Sequence, residues 1–395
     1  MAKSNRRPTP SARASSPSPP SKTYAQQVQR LSEEQPLSVQ ILFWMLMVCL
    51  GLLTYALTPY TFNLDDIKVT ILFCLFPVLL VFYFILLALG KVPAPPRVLN
   101  IALGSYFVVM LISTLLASHR WISWYLIGFT LCGVGAYLAA VGVTRTRADL
   151  EKFVLCFVII CLGTIVFGLL HRLKFFSLIQ AVVFSNNPPD LDARFHSLIF
   201  TLAGADKEML STILNRDFFA AYLDMSIPLT LGLMVATRSH WIRLLCIGTY
   251  ALGLLCIVFT MSKNDWIIML ITPAIFLFLY VRYIMPGRLH LPRWQHIRIV
   301  VAGVALILMT VGVLRWQLFS EKLKLFHHDE LSKNISSRLI IWEGSLGMFK
   351  DHPILGAGPG SFRVLFPRYR SPDYFLNDIS TLTLSAHNAY LDYLG

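Results

Sequence analysis

Nine long apolar runs, near residues 37–57, 69–90, 99–117, 121–143, 153–170, 218–236, 242–261, 266–285 and 297–314, constrain this chain more than any other feature of its sequence. Each is of the length, about 17–25 residues, that a helix needs to cross the hydrocarbon core of a bilayer. Of the 395 residues, 56% are hydrophobic and only 14% charged, and the mean hydropathy is +0.63. That leaves too little polar surface for water-soluble domains, and the same numbers exclude a disordered or fibrous chain. Only helices and closed barrels satisfy the backbone within hydrocarbon. Barrel strands would alternate polar and apolar residues, whereas these runs are continuous. The expected fold class is therefore an all-α polytopic membrane protein with about nine complete transmembrane helices. Pro77, Pro228 and Pro273 fall inside spans, where neighbouring helices can satisfy the freed backbone groups. A tenth run opens near His387 and stops at Gly395, so residues 387–395 are expected to be the start of a truncated helix.

Residues 1–36 form a Ser- and Pro-rich basic tail with no acid before Glu33, and this segment is expected to be disordered and cytoplasmic. All seven cysteines lie in apolar runs and read as small hydrophobes rather than a disulfide framework. With the tail inside, the short inner connections carry Lys91, Arg97, Arg145, Arg147, Lys152, Arg238, Arg243, Arg282, Arg288, Arg293 and Arg298. The short outer ones carry only Lys68, Arg120 and Lys263, an asymmetry that sets the orientation. The expected organisation is thus a tail (1–36), a helical bundle (37–314) with an outer loop at 171–217, and a large outer, periplasmic loop (315–386). The outer segment 171–217 carries five basic and five acidic residues and 315–386 nine basic and seven acidic, and the cations of the larger one suit an anionic partner such as a lipid phosphate or diphosphate. The net charge of +13 is accounted for by this distribution, and no nucleic-acid partner is expected.

The polar residues that remain cluster on that outer side. Leu339, Trp342, Leu346 and Phe349 recur at helical spacing, predicting an amphipathic helix over Ser336–Phe349. Arg338 and Trp342 are four apart on it, so the guanidinium can lie over the indole or be braced by it. Pro353, Gly356, Gly358, Pro359 and Gly360 then impose a tight turn; read as a nucleotide cradle, they have the wrong spacing. His387-Asn388 enters the tenth run, where a histidine is either a proton acceptor or an interfacial cap. Ser262-Lys263 closes the seventh run, and Asn215-Arg216-Asp217-Phe218 opens the sixth; each cation alone reads as an ordinary interfacial one. Asp224 is the main charged exception inside a span. Neither Asp65-Asp66 nor His327-His328-Asp329-Glu330 makes a compelling metal site, because adjacent histidines diverge on any regular backbone.

Taken together, Arg338…Trp342…His352-Pro353-Ile-Leu-Gly356-Ala-Gly358-Pro359-Gly360-Ser-Phe362 and His387-Asn388-Ala-Tyr390-Leu391 resemble the O-antigen ligase and polymerase family of bacterial envelope glycosyltransferases. Asn215-Arg216-Asp217-Phe218 and Ser262-Lys263 support the resemblance, while the first five runs match only in hydropathy. It implies a GT-C-like architecture in a bacterial inner membrane, with amphipathic helices in the large outer loop. It also implies an undecaprenyl diphosphate glycan donor and an acceptor hydroxyl on a glycolipid or glycan, in lipopolysaccharide or other envelope polysaccharide biosynthesis. Carried over residue by residue, His387 is the catalytic candidate. Arg338, Lys263 and Arg216 are the candidates for the donor diphosphate, and Trp342, Asn388 and Asn215 are supporting residues. Lys263 departs from the family's usual arginine, which reduces a bidentate contact to a point charge. A glycosyl transfer expelling a diphosphate needs a metal ion or preorganised cations, and the arginines and lysine supply the latter without metal or cofactor.

His387 acting as general base on the acceptor hydroxyl would invert the anomeric centre by direct displacement. A charge-stabilising or acceptor-orienting role for the same residue stays open. So do a polymerase, whose acceptor is another lipid-linked glycan, and a protein O-glycosylation enzyme. From other classes, a solute transporter would show ionisable groups at mid-membrane, and a non-catalytic envelope protein remains a further reading.

Overall fold

The computed structural model describes residues 36–57, 66–185, 202–203, 209–260, 262–284 and 328–372, together with 374, 383, 385, 386, 388, 391 and 392. Every regular element among them is helical. Among the described residues, seven helices are long and apolar enough to cross a membrane: α1 (Leu37–Tyr55), α2 (Asp66–Ala88), α3 (Arg97–Leu116), α4 (Arg120–Val143), α5 (Arg147–Arg172), α7 (Arg216–Ala236) and α8 (His240–Thr260). A shorter helix, α6 (Phe175–Ser185), follows α5. The eighth expected span is α9 (Lys263–Leu279), a 17-residue helix prolonged in π geometry over Tyr280–Ile284. The ninth, 297–314, lies outside the described residues, as do the tail before Pro36, Asp65 and His327.

Local chemistry places the helix ends. A capping box opens α5, where Thr146 Oγ1 accepts from the Asp149 amide at 3.2 Å and Asp149 Oδ2 accepts from the Thr146 amide at 3.0 Å. Asn215 caps α7, its Oδ1 accepting from the amides of Asp217 and Phe218 at 2.9 and 3.1 Å.

The spans pack as two groups. In the first, α1, α2 and α4 enclose Leu42, Leu46, Phe76, Leu79, Tyr83 and Ala139, with α3 against the flank of α4. Gly135 and Gly142 let α4 approach α2 closely: a Cβ at Gly135 would stand 3.2 Å from the Phe76 carbonyl oxygen. Close backbone approach of this kind replaces the hydrophobic drive that is missing between helices in lipid. In the second, α5, α7, α8 and α9 enclose Cys161, Ile165, Phe219, Leu223, Ile227, Cys256 and Met269. Helix α1 touches both α4 and α5 and so joins the two groups.

A third cluster lies near the C-terminus. It is built from α10 (His328–Asp351), a glycine-rich turn, α11 (Phe362–Leu365) and a 3-10 turn (Phe366–Tyr369). Ile341, Met348, Phe362, Leu365, Phe366, Tyr374 and Ala386 form its core. The expected helix over Ser336–Phe349 falls within α10, but its buried face differs from the predicted one. Leu339 and Leu346 are 54% and 46% exposed, while Ile341, Ser345 and Met348 are buried. The cause is a glycine notch: a Cβ at Gly344 would stand 2.8 Å from the Phe366 ring and 2.9 Å from the Tyr369 carbonyl oxygen. The chain packs through that notch rather than through the leucine stripe.

Candidate functional site

The C-terminal cluster brings several of the sequence candidates together. Trp342 is half-buried, and its indole Nε1 donates to the Ala386 carbonyl oxygen at 3.0 Å. The Ala386 amide donates to Asp392 Oδ1 at 2.6 Å, and the Asp392 amide donates to the Asn388 carbonyl oxygen at 2.9 Å. Ala386 is fully buried, so the peptide preceding His387 is held from both sides. His387 itself lies outside the described residues. Arg338 sits one turn before Trp342 on α10 and is exposed. It makes no hydrogen bond, ion pair or ring contact among the described residues, so its guanidinium does not lie over the indole as the spacing allowed. Trp342 turns instead toward Ala386. On the outer side of α10, Tyr369 Oη donates to Asp351 Oδ2 at 2.7 Å, and this bond to the carboxylate raises the phenol above its ordinary pKa.

The glycine-rich turn is seated on the first helical group. Ser113 Oγ of α3 donates to the Leu355 carbonyl oxygen at 2.7 Å, and Ser123 Oγ of α4 donates to the Pro359 carbonyl oxygen at 2.9 Å. Gly358, with φ +109°, passes so close to Ala117 that an added Cβ would stand 2.3 Å from its Cβ. Arg363 lies over the Trp121 ring with its guanidinium carbon 6.0 Å from the centroid. Between turn and helices lies a cavity of about 490 Å³. Tyr106, Met110 and Phe129 form its wall within the spans, and Arg363, Ser385 and Asp392 supply polar groups. Such a space has an apolar body and a polar rim beside the Ala386 peptide.

Asn215, Arg216 and Lys263 occupy the start of two packed helices, α7 and α9. The approach to α7 is held firmly. Ser211 Oγ donates to the Thr164 carbonyl oxygen at 2.6 Å, the Lys68 ammonium donates to the Thr212 carbonyl oxygen, and Leu214 takes the left-handed conformation at φ +58°. A non-glycine residue held at positive φ costs about 1–3 kcal/mol and persists only where its surroundings fix it. Arg216 is partly exposed, with its Nε 3.8 Å from Asp217 Oδ1. The backbone of Lys263 begins α9.

Residues 248–395 match the family model described as O-antigen ligase. That segment is similar to O-antigen ligases. No curated protein and no solved structure matched it. The matched O-antigen ligase segment begins within α8 and holds Lys263, Arg338, Trp342, the glycine-rich turn, Ala386, Asn388 and Asp392, while Asn215 and Arg216 precede it. The O-antigen ligase family comprises membrane glycosyltransferases and ligases and points to cell-envelope polysaccharide biosynthesis. Together with the seven long apolar helices, it identifies a multi-pass membrane protein. Three residues of the site escaped sequence reasoning: Ser113 and Ser123, which grip the turn, and Asp392. The only sequence signal for the serines was their small size within apolar runs.

Proposed function

We propose that the protein transfers a glycan from an undecaprenyl diphosphate donor to an acceptor hydroxyl at the periplasmic face of a bacterial inner membrane. The acceptor oxygen attacks the anomeric carbon, the bond from that carbon to the diphosphate oxygen breaks, and the electron pair leaves with the lipid diphosphate. His387 takes the acceptor's proton as general base, so the anomeric centre inverts in a single displacement. Arg338 offers an exposed planar fork to the diphosphate, and Arg216 and Lys263 add positive charge at the adjoining helix starts. Charge developing on the leaving group is met by these cations without a metal ion.

One observation carries the reading: the Trp342 bond to the Ala386 carbonyl sets the Arg338 helix against the peptide next to His387. Trp342 follows Arg338 by four helical positions, a rise of about 6 Å, so a diphosphate held by Arg338 is within reach of the histidine's surroundings. The cavity beside Ala386 supports a lipid-linked substrate, since its apolar wall suits a lipid chain and its rim suits a polar head. Asn388 and Asn215 serve as supports, the one through its carbonyl on Asp392 and the other through the α7 cap.

The test is a reconstituted assay with lipid-linked glycan donor and glycolipid acceptor. His387→Ala is expected to abolish transfer with normal membrane insertion, and Arg338→Ala to raise the donor KM, with Arg338→Lys recovering only part of it. Transfer at the wild-type rate by inserted His387→Ala protein removes the assignment, and loss of activity on chelation removes the metal-free mechanism.

A further inference from the structure

Arg370, which follows the 3-10 turn Phe366–Tyr369, is a cation that the proposed transfer does not use. Its guanidinium carbon lies 4.7 Å from the centre of the Tyr374 ring and 5.7 Å from that of Phe366. Those two rings meet edge to face, with their centres 6.0 Å apart. The local sequence builds this bracket. Pro372 follows Ser371 in a turn closed by the Tyr374 amide, which donates to the Ser371 carbonyl oxygen at 3.1 Å and so carries the Tyr374 ring back over Arg370. A 2.5 Å hydrogen bond between the Tyr374 hydroxyl and Thr383 Oγ1 fixes that ring, and Phe366 is fully buried.

Aromatic rings brace a guanidinium without answering all of its N–H groups. Nε and Nη2 of Arg370 are both shut off from solvent, and among the described residues neither has an acceptor. Ser371 Oγ, on the next residue, is buried and has no partner among them either. Nε and Nη2 form one edge of the planar fork, an edge that can grip two oxygens of a carboxylate or phosphate side by side. A guanidinium keeps its charge when buried, so it cannot relieve the cost of burial by changing its protonation state. No described carboxylate pairs with it, and Asp351 is taken by the hydroxyl of Tyr369. The bracket also adjoins the proposed reaction centre in sequence and in bonding. Thr383, which holds Tyr374, precedes Ala386 by three residues, and the Ala386 carbonyl holds Trp342.

We infer that Arg370 and Ser371 bind one oxyanion, a carboxylate or a phosphate, with Nε–H and Nη2–H donating to two of its oxygens and the serine hydroxyl adding a third bond. On the glycosyl-transfer reading the anion is a charged substituent of the glycan, so an acidic chain is anchored by the segment that leads to His387. The other source of the same chemistry is free phosphate. The oxyanion site rests on the fork and its bracket, and its test reads binding, so failure of the transfer reading leaves it standing and its own failure leaves transfer standing.

In the experiment, the full chain in lipid nanodiscs is titrated by ligand-observed NMR with glucuronate, glucose 6-phosphate, inorganic phosphate and, as the neutral control, glucose. Wild-type protein is expected to bind anions and not glucose. Arg370→Lys, which keeps the charge and loses the fork, should weaken anion binding about tenfold. Ser371→Ala, which leaves the aromatic bracket in place should the arginine variant fail to fold, should weaken it about fivefold. Binding of the two sugar acids in preference to inorganic phosphate, with this dependence on the two residues, supports the site with a glycan as the source. Binding of inorganic phosphate alone, with the same dependence, supports it with the free ion as the source. Anions held elsewhere, by Arg338 for instance, would not respond to these substitutions. Anion binding unchanged in every folded variant, or none by the wild type, overturns the proposal.

Discussion

The first and second helical groups are both built from long apolar helices, yet their interiors differ in how much polar surface they bury. Around α1, α2 and α4 the core is a continuous block of aliphatic and aromatic side chains. Its neighbourhood holds three buried hydroxyl residues, Ser113, Thr114 and Ser123, and two of them reach out of the group to hold the glycine-rich turn. The α5, α7, α8 and α9 group buries Thr164, Asp224, Ser226, Thr230, Thr249, Thr260, Ser262 and Asp265. Helix α7 is the least apolar of the seven long helices, and half of its span is buried. In hydrocarbon, polar groups are tolerated only when turned inward, so the second group has a specialised interior while the first serves as a rigid seat.

Substitutions can break or sharpen that contrast. The largest effect is expected from Gly358→Leu, because its Cβ would collide with Ala117 on a backbone already at positive φ. Overpacking costs about 1–3 kcal/mol and left-handed strain about as much again, so the turn should lift from α3 and α4. A melting curve in detergent should fall by several degrees with loss of transfer; an unchanged curve would mean that the first group is not a seat. Ser123→Ala should cost about 1 kcal/mol by stranding the Pro359 carbonyl. Thr230→Ala in the second group should cost much less, since that hydroxyl only bonds back to Ser226 within its own helix. Equal losses for the two variants, measured side by side, would erase the distinction between gripping and back-bonding hydroxyls. The most localised change is expected from Asn215→Ala, which removes the acceptor of two amides at the start of α7 and should cost roughly 1 kcal/mol, no more than Ser123→Ala. Its signature is faster amide exchange at Asp217 and Phe218 with the rest of the bundle unaltered.

Much of this architecture was legible from run length alone, because a span must be long and apolar wherever it packs. Contacts were not legible in the same way. Counting hydrophobic residues on α10 selected Leu339 and Leu346, which are exposed, because it gives no weight to the absent side chain of Gly344 that the partner turn fills. The glycines at 356–360 announced a sharp turn, yet nothing in their spacing said that Ala117 and Ser123 would lie beneath them, some 240 residues away in sequence. The spacing of Arg338 and Trp342 allowed a contact that the indole does not make; its partner, the Ala386 carbonyl, is long-range and invisible to periodicity. Asp224 stood out early because a charge inside an apolar run breaks the pattern without help from tertiary structure.

The seat beneath the glycine-rich turn has a consequence for shuffling halves between relatives. The family match covers only the C-terminal part, so that part invites transplantation onto a foreign set of leading helices. A recipient without small residues where Ala117, Ser113 and Ser123 stand would present a bump where this chain has a socket. Such hybrids should assemble poorly until those three positions travel with the graft.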